Sequence, residues 1–518
     1  MDEQIHNNQS PPAVPEVSPY KGAEAPKPPV RFSAQDWLFV PAALLLAWLC
    51  MRVYSAAGFV MQGPAGLGVP VFTAALLLAV YLRLGKRAVR NRYSLLLTVC
   101  TFLLALSCFL CANPWLFFLN SFAALGVGTL AVFSLSGQLR RTAASLASLG
   151  EGFCLFFQAI FVHILKPFQA LGGLLRTDRK RAAGVLIGIL CAIPILALVI
   201  YLLAAADSVF GGLFRSLSDW LQSTDLPHWL WWAVRLLFVA LLFFSGLYFL
   251  TVPRKAPEPK PQPEAGVPET FSAAPFLTVL ALLDAVYLVF AVIQVVYLFG
   301  GAETAAMQGG YALYARSGFF QLVAVAAINV CAVLCTCLWS RRCTAGFRSL
   351  RVLSLAMVAL TLVILASAVY RMGLYISVYG LSLLRLLTLW GMLVILVSLG
   401  AAVWKTLRPD FRFFQVFFLF ALISWVLLNL ANPNAIIANY NVDAYLSGAV
   451  EQVDVHYLRW GLTYDGAGTD ILPALHKLEQ SSAYGNPDDL REEIELVELV
   501  LAREKSWEYL HLGDILYR

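Results

Sequence analysis

Eleven stretches of this chain are apolar and long enough to cross a lipid bilayer. They lie near residues 37–54, 69–84, 95–112, 115–136, 182–205, 229–252, 276–299, 319–338, 350–370, 383–404 and 412–430. No other feature constrains the fold as strongly. Inside hydrocarbon there is no water to satisfy a backbone N–H or C=O, so a span must pair these groups internally, and an uninterrupted apolar run does so as a helix. Composition agrees: of 518 residues, 60% are hydrophobic and only 13% charged, outside the range of soluble globular domains. The expected class is an all-α integral membrane protein of about eleven transmembrane helices, with a small extracytoplasmic α-helical C-terminal domain.

The charges between the spans give the orientation. Alternate loops, beginning with the segment before the first span, hold 25 Lys and Arg, and the intervening loops hold only Arg215, Arg316 and Arg371. By the positive-inside rule this split puts the N-terminus in the cytoplasm and residues 431–518 outside. Residues 1–36 are polar and hold seven prolines, which reads as a disordered cytoplasmic tail and not as a signal peptide. The first transmembrane group, residues 37–252, contains six spans. Residues 151–168 carry Glu151, Gln158, His163 and Lys166 and read as an interfacial helix. A Pro-rich cytoplasmic linker, residues 253–275, precedes a second group of five spans over 276–430. No internal repeat crosses that linker, so an inverted-repeat transporter plan has no support.

From Asn432 onward there are 15 Asp and Glu against 6 Lys and Arg, an acidic unit at the end of a basic chain. Asn486-Pro487-Asp488-Asp489 combines a cap, a first-turn proline and acids at the positive end of a helix dipole. Leu490, Ile494, Val497 and Leu501 then form one apolar stripe. Residues 470–478 predict a second short helix. Asn113-Pro114 and Asn432-Pro433 read as helix terminators at the outer surface.

Polar residues in the second group mark the candidate site. At about 100° per residue, Asp284, Tyr287, Ala291, Gln294 and Leu298 share one face of a helix. Unpaired polar groups facing lipid cost a few kcal/mol each, about enough to turn this face toward a bundle or a wet cavity. Gln321 and Asn329 follow on the next span. Arg52, Arg235, Arg316, Arg371 and Arg385 lie near outer span ends. Guanidinium groups suit a phosphate or carboxylate headgroup, but they also snorkel to the interface or pair with the acidic tail, and docking of that tail is the more economical reading. Asp284, with no evident cation, has two readings: a group that relays protons or binds a cation, or a structural acid bonded to a neighbouring helix.

Several classes are excluded. Cys331, Cys335 and Cys337 sit in apolar helical sequence without a histidine or acidic co-ligand, which argues against a metal site and for small apolar fillers. The histidines are scattered, and there is no phosphate-cradling loop or nucleophile elbow. The basic inner loops suit anionic inner-leaflet lipid, so no nucleic-acid partner is expected. No cofactor is expected, and catalysis would need paired acids where Asp284 stands alone.

Several of these stretches resemble a bacterial family known as domain of unknown function 4173, a relative of domain 4153. The similar segments are 287–301, 311–329, the run Arg371, Tyr375, Tyr379, Gly380 and Arg385, and the run Asn432, Pro433, Asn434, Tyr440, Asn441 and Tyr445. Val453, Asp454, Tyr457, Ile471, Pro473 and Leu475 resemble the family's ending. The resemblance covers roughly 280–518, with Ser382 and Asn434 where threonine and aspartate are expected. It implies a multi-pass protein of the bacterial cell membrane and no activity. The functional expectation is transport or handling of an anionic lipid or small solute between the spans of 276–404, with Asp284, Tyr287, Gln294, Arg316, Gln321, Asn329, Arg371 and Arg385 binding the ligand. The alternative is a non-enzymatic scaffold or sensor whose acidic outer domain meets an envelope protein partner.

Overall fold

The computed structural model describes residues 34–88, 91–140, 144–164, 166–167, 212, 228–252, 273–299, 319–339, 347–408, 410–462 and 468–517. The chain divides into two compact units, one of Asp36–Ile164 with Asp225–Arg518 and one of Met1–Gln35 with Leu165–Thr224. The second lies almost wholly outside the described residues, as do Arg316, the expected span 182–205 and the Pro-rich linker. From Asp36 on, the helices named below belong to the first unit.

Every regular element among the described residues is helical. The first helices are α1 (Ala34–Val53), α2 (Ala56–Gln62), α3 (Gly68–Leu84), α4 (Arg92–Leu110), α5 (Pro114–Leu135), α6 (Leu146–Phe161) and α7 (His228–Phe249). After the linker come α8 (Ala273–Phe299), α9 (Phe319–Trp339), α10 (Phe347–Tyr379), α11 (Leu383–Leu407) and α12 (Phe413–Leu430). The tail adds α13 (Pro433–Leu446), α14 (Leu472–Ser481), α15 (Pro487–Ala502) and α16 (Leu512–Leu516). Eight described helices have the length and apolarity to cross a membrane; α3, α6 and the described core of α9 are apolar but shorter. Eight is therefore the number that length and composition support among the described residues; the expected span 182–205 lies outside them.

The helix starts follow from local chemistry. Asn113 accepts hydrogen bonds from the backbone N–H of Trp115 and Leu116, and Pro114 occupies the first turn, where its missing N–H costs nothing. Asn432 caps α13 from a left-handed backbone, φ 54°, accepting from the Ala435 N–H. The two Asn-Pro pairs thus begin helices as well as following the ends of others. Asn91 and Ser145 open α4 and α6 with reciprocal capping boxes.

Helix α6, over the expected interfacial segment, is packed as well as amphipathic. Gly152 lets it approach Leu130 of α5, and the Ser245 hydroxyl of α7 donates to the Ala159 carbonyl at 2.7 Å. Its opposite face leaves Phe153, Phe157 and Phe161 exposed.

At one end of the bundle, buried Arg83 donates to Asp36 at 2.5 Å, to the Thr251 hydroxyl at 3.0 Å and to the Leu247 carbonyl at 3.2 Å, joining α3 to α1 and to the end of α7. In the middle, Asn120 of α5 donates to Ser107 of α4 at 3.0 Å and to Asn429 of α12 at 2.9 Å, and accepts from the Trp425 indole at 2.9 Å. Leu422 and Val426 of α12 belong to the same core as Leu97, Leu104 and Ala131 of the first group. The last span therefore packs with the first helix group, although the linker separates them in sequence.

The tail closes the opposite end. Its Ile437, Leu458, Ile471, Leu475 and Val497 share one continuous core with Leu383, Leu381 and Ile376 of the α10–α11 corner and with Leu116 of α5. Buried polar bonds lock it to the α4–α5 turn. Asn113 donates to Asn434 at 2.9 Å and to the Leu462 carbonyl at 2.8 Å, the Ala112 N–H donates to Asp470 at 2.9 Å, and Asn432 donates to the Leu110 carbonyl at 2.9 Å. At the α10–α11 corner, Gly380 has φ 70° and a Cβ there would strike Asn441. The Asn441 amide brackets Leu381, accepting from its N–H at 2.6 Å and donating to its carbonyl at 2.9 Å.

Candidate functional site

Two features of the bundle have the makings of a site: a polar cluster in the second helix group and an apolar cavity in the first. In the cluster, Asp284 lies eleven residues into α8, about 16 Å along its axis at 1.5 Å per residue. It is 8% exposed. Helix α8 packs on α10, and α9 packs on α10 and α11. Tyr287, one turn on from Asp284, is half-buried and interacts with both Asp284 and Asn329. Asn329 of α9 is fully buried and donates to the Thr361 hydroxyl of α10 at 2.9 Å, and that hydroxyl donates to the Met357 carbonyl at 2.6 Å. The amphipathic stripe read from the sequence thus turns inward, as the cost of placing it in lipid requires.

The other predicted residues do not join this cluster. Gln294 stands on α8 with its side chain outside the described residues, and Arg316 lies outside them altogether. Gln321 is exposed at the start of α9. Arg371 is half-buried near the far end of α10. Arg385 is committed to the end of α10: it donates to the Tyr379 carbonyl at 2.8 Å and to that of Gly380, and its guanidinium lies 4.1 Å from the Tyr375 ring centroid. A cation there satisfies terminal carbonyls and the negative end of the helix dipole, a structural task. Arg52 is likewise engaged, 2.5 Å from Glu508 of the tail. Arg235 donates to the Trp231 carbonyl of its own helix at 3.4 Å.

The cavity, of about 700 Å³, lies among α1, α3, α4, α5, α6 and α7. Its wall is aliphatic and aromatic, with Phe72, Phe117, Phe133, Phe156, Phe243 and Leu247 prominent. The polar side chains on it are few: Tyr54, Thr73, Thr101, Ser121 and Thr129, with Tyr54 facing Ser121. Gly128 and Gly246 line it too, and a side chain at Gly246 would project into open space. A cavity of this size and polarity fits an apolar chain or a drug-sized apolar ligand. Nothing in the sequence announces it, because its wall residues are those of any apolar span; only Gly128 and Gly246 inside otherwise bulky helices are a signal.

At the tail interface a second polar group is buried. Asp514 pairs with Lys505 at 2.9 Å and lies 3.8 Å from His511. Burial works to raise its carboxyl pKa, but the contacts with His511 and Lys505 prevail and hold it at about 2. Neighbouring Asp470 is raised, because its burial outweighs the help of the Ala112 N–H, His511 and Asn432. Among the described residues no group of His, Cys, Asp and Glu has the arrangement of a metal site.

One family, described as Domain of unknown function (DUF4153), matches residues 98–478. The match begins in α4, well before residue 280, where the resemblance to domain 4173 begins, and ends in α14. No curated protein and no solved structure matches this chain.

Proposed function

We propose, for a chain that belongs to the DUF4153 family, that it is a membrane protein handling the apolar chain of a lipid through the cavity of its first helix group. The observation that carries this reading is the cavity itself: about 700 Å³, almost wholly apolar, and set within helices apolar enough to stand in hydrocarbon. A wall that apolar is best satisfied by dispersion contacts with an apolar chain, so in a bilayer an acyl chain is its natural occupant. The reading departs from the anionic headgroup expected between 276 and 404, since Arg52 and Arg385 are both engaged by the protein's own groups. A cytoplasmic N-terminus and an extracytoplasmic tail belong to the same proposal, supported by the split of basic residues between alternate loops. The bacterial cell membrane and a closer affinity to domain 4173 rest on the resemblance of residues 280–518 alone.

The test is native mass spectrometry of the full chain in detergent with added diacyl phosphatidylethanolamine, alongside Ala124→Phe and Gly246→Phe. Both substitutions place a ring in the cavity without removing a polar contact. The parent should retain lipid adducts through activation and the two variants should lose them, while Arg385→Ala should match the parent. Equal retention by parent and cavity-filled variants overturns the reading.

A scaffold or sensor role has one observation in its favour. On α15 the outward face is left acidic, with Asp488, Asp489, Glu492, Glu495 and Glu498 exposed while Leu490, Ile494 and Val497 are buried. Deleting the tail does not isolate that role, because the tail shares the bundle's core. Reversing the exposed acids of α15 to lysine does.

A further inference from the structure

The polar cluster of α8, α9 and α10 is left unbalanced. Both carboxylate oxygens of Asp284 and the Oδ1 of Asn329 are buried without a hydrogen-bond partner among the described residues. These are three acceptors to which no described residue donates. The groups around them come from three helices. Helices α8 and α9 contain no Lys, Arg or His, and α10 contains Arg348, Arg351 and Arg371. Arg351 and Arg371 each stand ten residues from Thr361, about 15 Å along the helix. Among the described residues no counter-charge reaches Asp284. Leaving such acceptors without a donor is costly, most of all for a charged group, so folding does not leave this arrangement in place for packing alone.

We propose that Asp284, Tyr287 and Asn329 form a binding site for a sodium ion. All the groups offered are oxygens, the ligand type of hard cations. The site carries one formal negative charge, so a monovalent ion leaves it neutral, whereas a divalent ion would leave a net charge in the apolar interior. One sodium ion satisfies the two carboxylate oxygens and Asn329 Oδ1 together; a proton satisfies one. Thr361 holds the Asn329 amide nitrogen at 2.9 Å and so fixes which end of that amide is offered to the ion. This site stands apart from the apolar cavity, and neither reading requires the other.

The experiment is equilibrium binding of radioactive sodium to the purified full chain in detergent, in choline chloride at constant ionic strength, read by scintillation proximity. Saturable binding near one ion per chain is expected, weakened at least tenfold in Asp284→Asn and several-fold in Tyr287→Phe. Choline should not compete, and sodium should raise the melting temperature of the parent only. Asp284→Asn keeps the shape of the side chain, and its gel-filtration profile shows whether it folds; if it does not, Tyr287→Phe, which removes only a hydroxyl, decides alone. No saturable sodium binding by the folded parent overturns the proposal. So does binding that is unchanged in the folded variants, or proton uptake that is indifferent to sodium.

Discussion

The interface between the tail and the bundle and the seam between α8, α9 and α10 both bury asparagine and aspartate in apolar surroundings, yet they treat their aspartates in opposite ways. At the tail, Asn113 has its oxygen on two backbone N–H groups and its nitrogen on Asn434 and the Leu462 carbonyl. Asp470 receives the Ala112 N–H, and Asp514 receives Lys505. At the seam, Asp284 receives nothing from the described residues. Buried polar groups cost little when matched and much when not. Among the described residues, Asn434 Nδ2 lacks a partner at the tail just as Asn329 Oδ1 does at the seam. The contrast therefore lies in the carboxylates: the matched Asp470 and Asp514 read as architecture, and the unmatched Asp284 as a place for a ligand.

The contrast meets its severest test at Asn113. Asn113→Leu removes a helix cap and leaves Asn434 and a buried carbonyl without their donor, so a loss of about 3 kcal/mol is expected from the cap and the orphaned partners together. Limited proteolysis of residues 431–518 and thermal unfolding in detergent both report it. A smaller effect belongs to Asp514. Its folded pKa of about 2 lies below the ordinary 3.8, so the stability it contributes is present above pH 4 and is lost as pH falls from about 4 to 2. That shift is worth about 2 kcal/mol, to be seen as an acid-induced drop in melting temperature that Asp514→Asn lacks. Asp470, raised, works with the opposite sign: its contribution is full below pH 3.8 and fades as pH rises through its higher folded value. Asp470→Asn should therefore cost least at neutral pH.

At the seam the sign should reverse. In sodium-free buffer Asp284→Asn should leave melting unchanged or raise it by the equivalent of about 1 kcal/mol, because an unmatched charge is replaced by a neutral amide. A large destabilisation would place Asp284 with the tail's structural acids and count against the ligand reading. The smallest effect is expected at Arg385→Lys, which keeps the charge at the end of α10 but loses the guanidinium geometry over Tyr375, costing about 0.5–1 kcal/mol.

Much of this was legible in the chain. Among the described residues the apolar runs gave helices where expected, the run from 276 within α8 and α12 ending at Leu430 among them, because a span's backbone has no other way to satisfy itself in lipid. The stripe of Asp284 and Tyr287 was legible too, since a helix face is a matter of local geometry. The arginines were legible only in part: pairing with the acidic tail was the favoured reading, and Arg52 follows it. Arg52 and Arg385 looked alike as cations at span ends, but one found a tail glutamate and the other a helix terminus, partners set by which chain segments meet. Thr361 gave no signal of its own, and neither did the cavity wall.

The sequence by itself determined that this is a helical membrane protein, with its basic loops alternating and its acidic residues gathered after Leu430, because hydropathy and charge act over a few residues. Only the tertiary structure decided that α12 packs with the first helix group through Asn120 and Asn429, that the tail shares the bundle's core, and that the large cavity lies far from the polar stripe in sequence. Those are outcomes of packing, where shape complementarity between distant helices decides and any apolar span looks locally like any other.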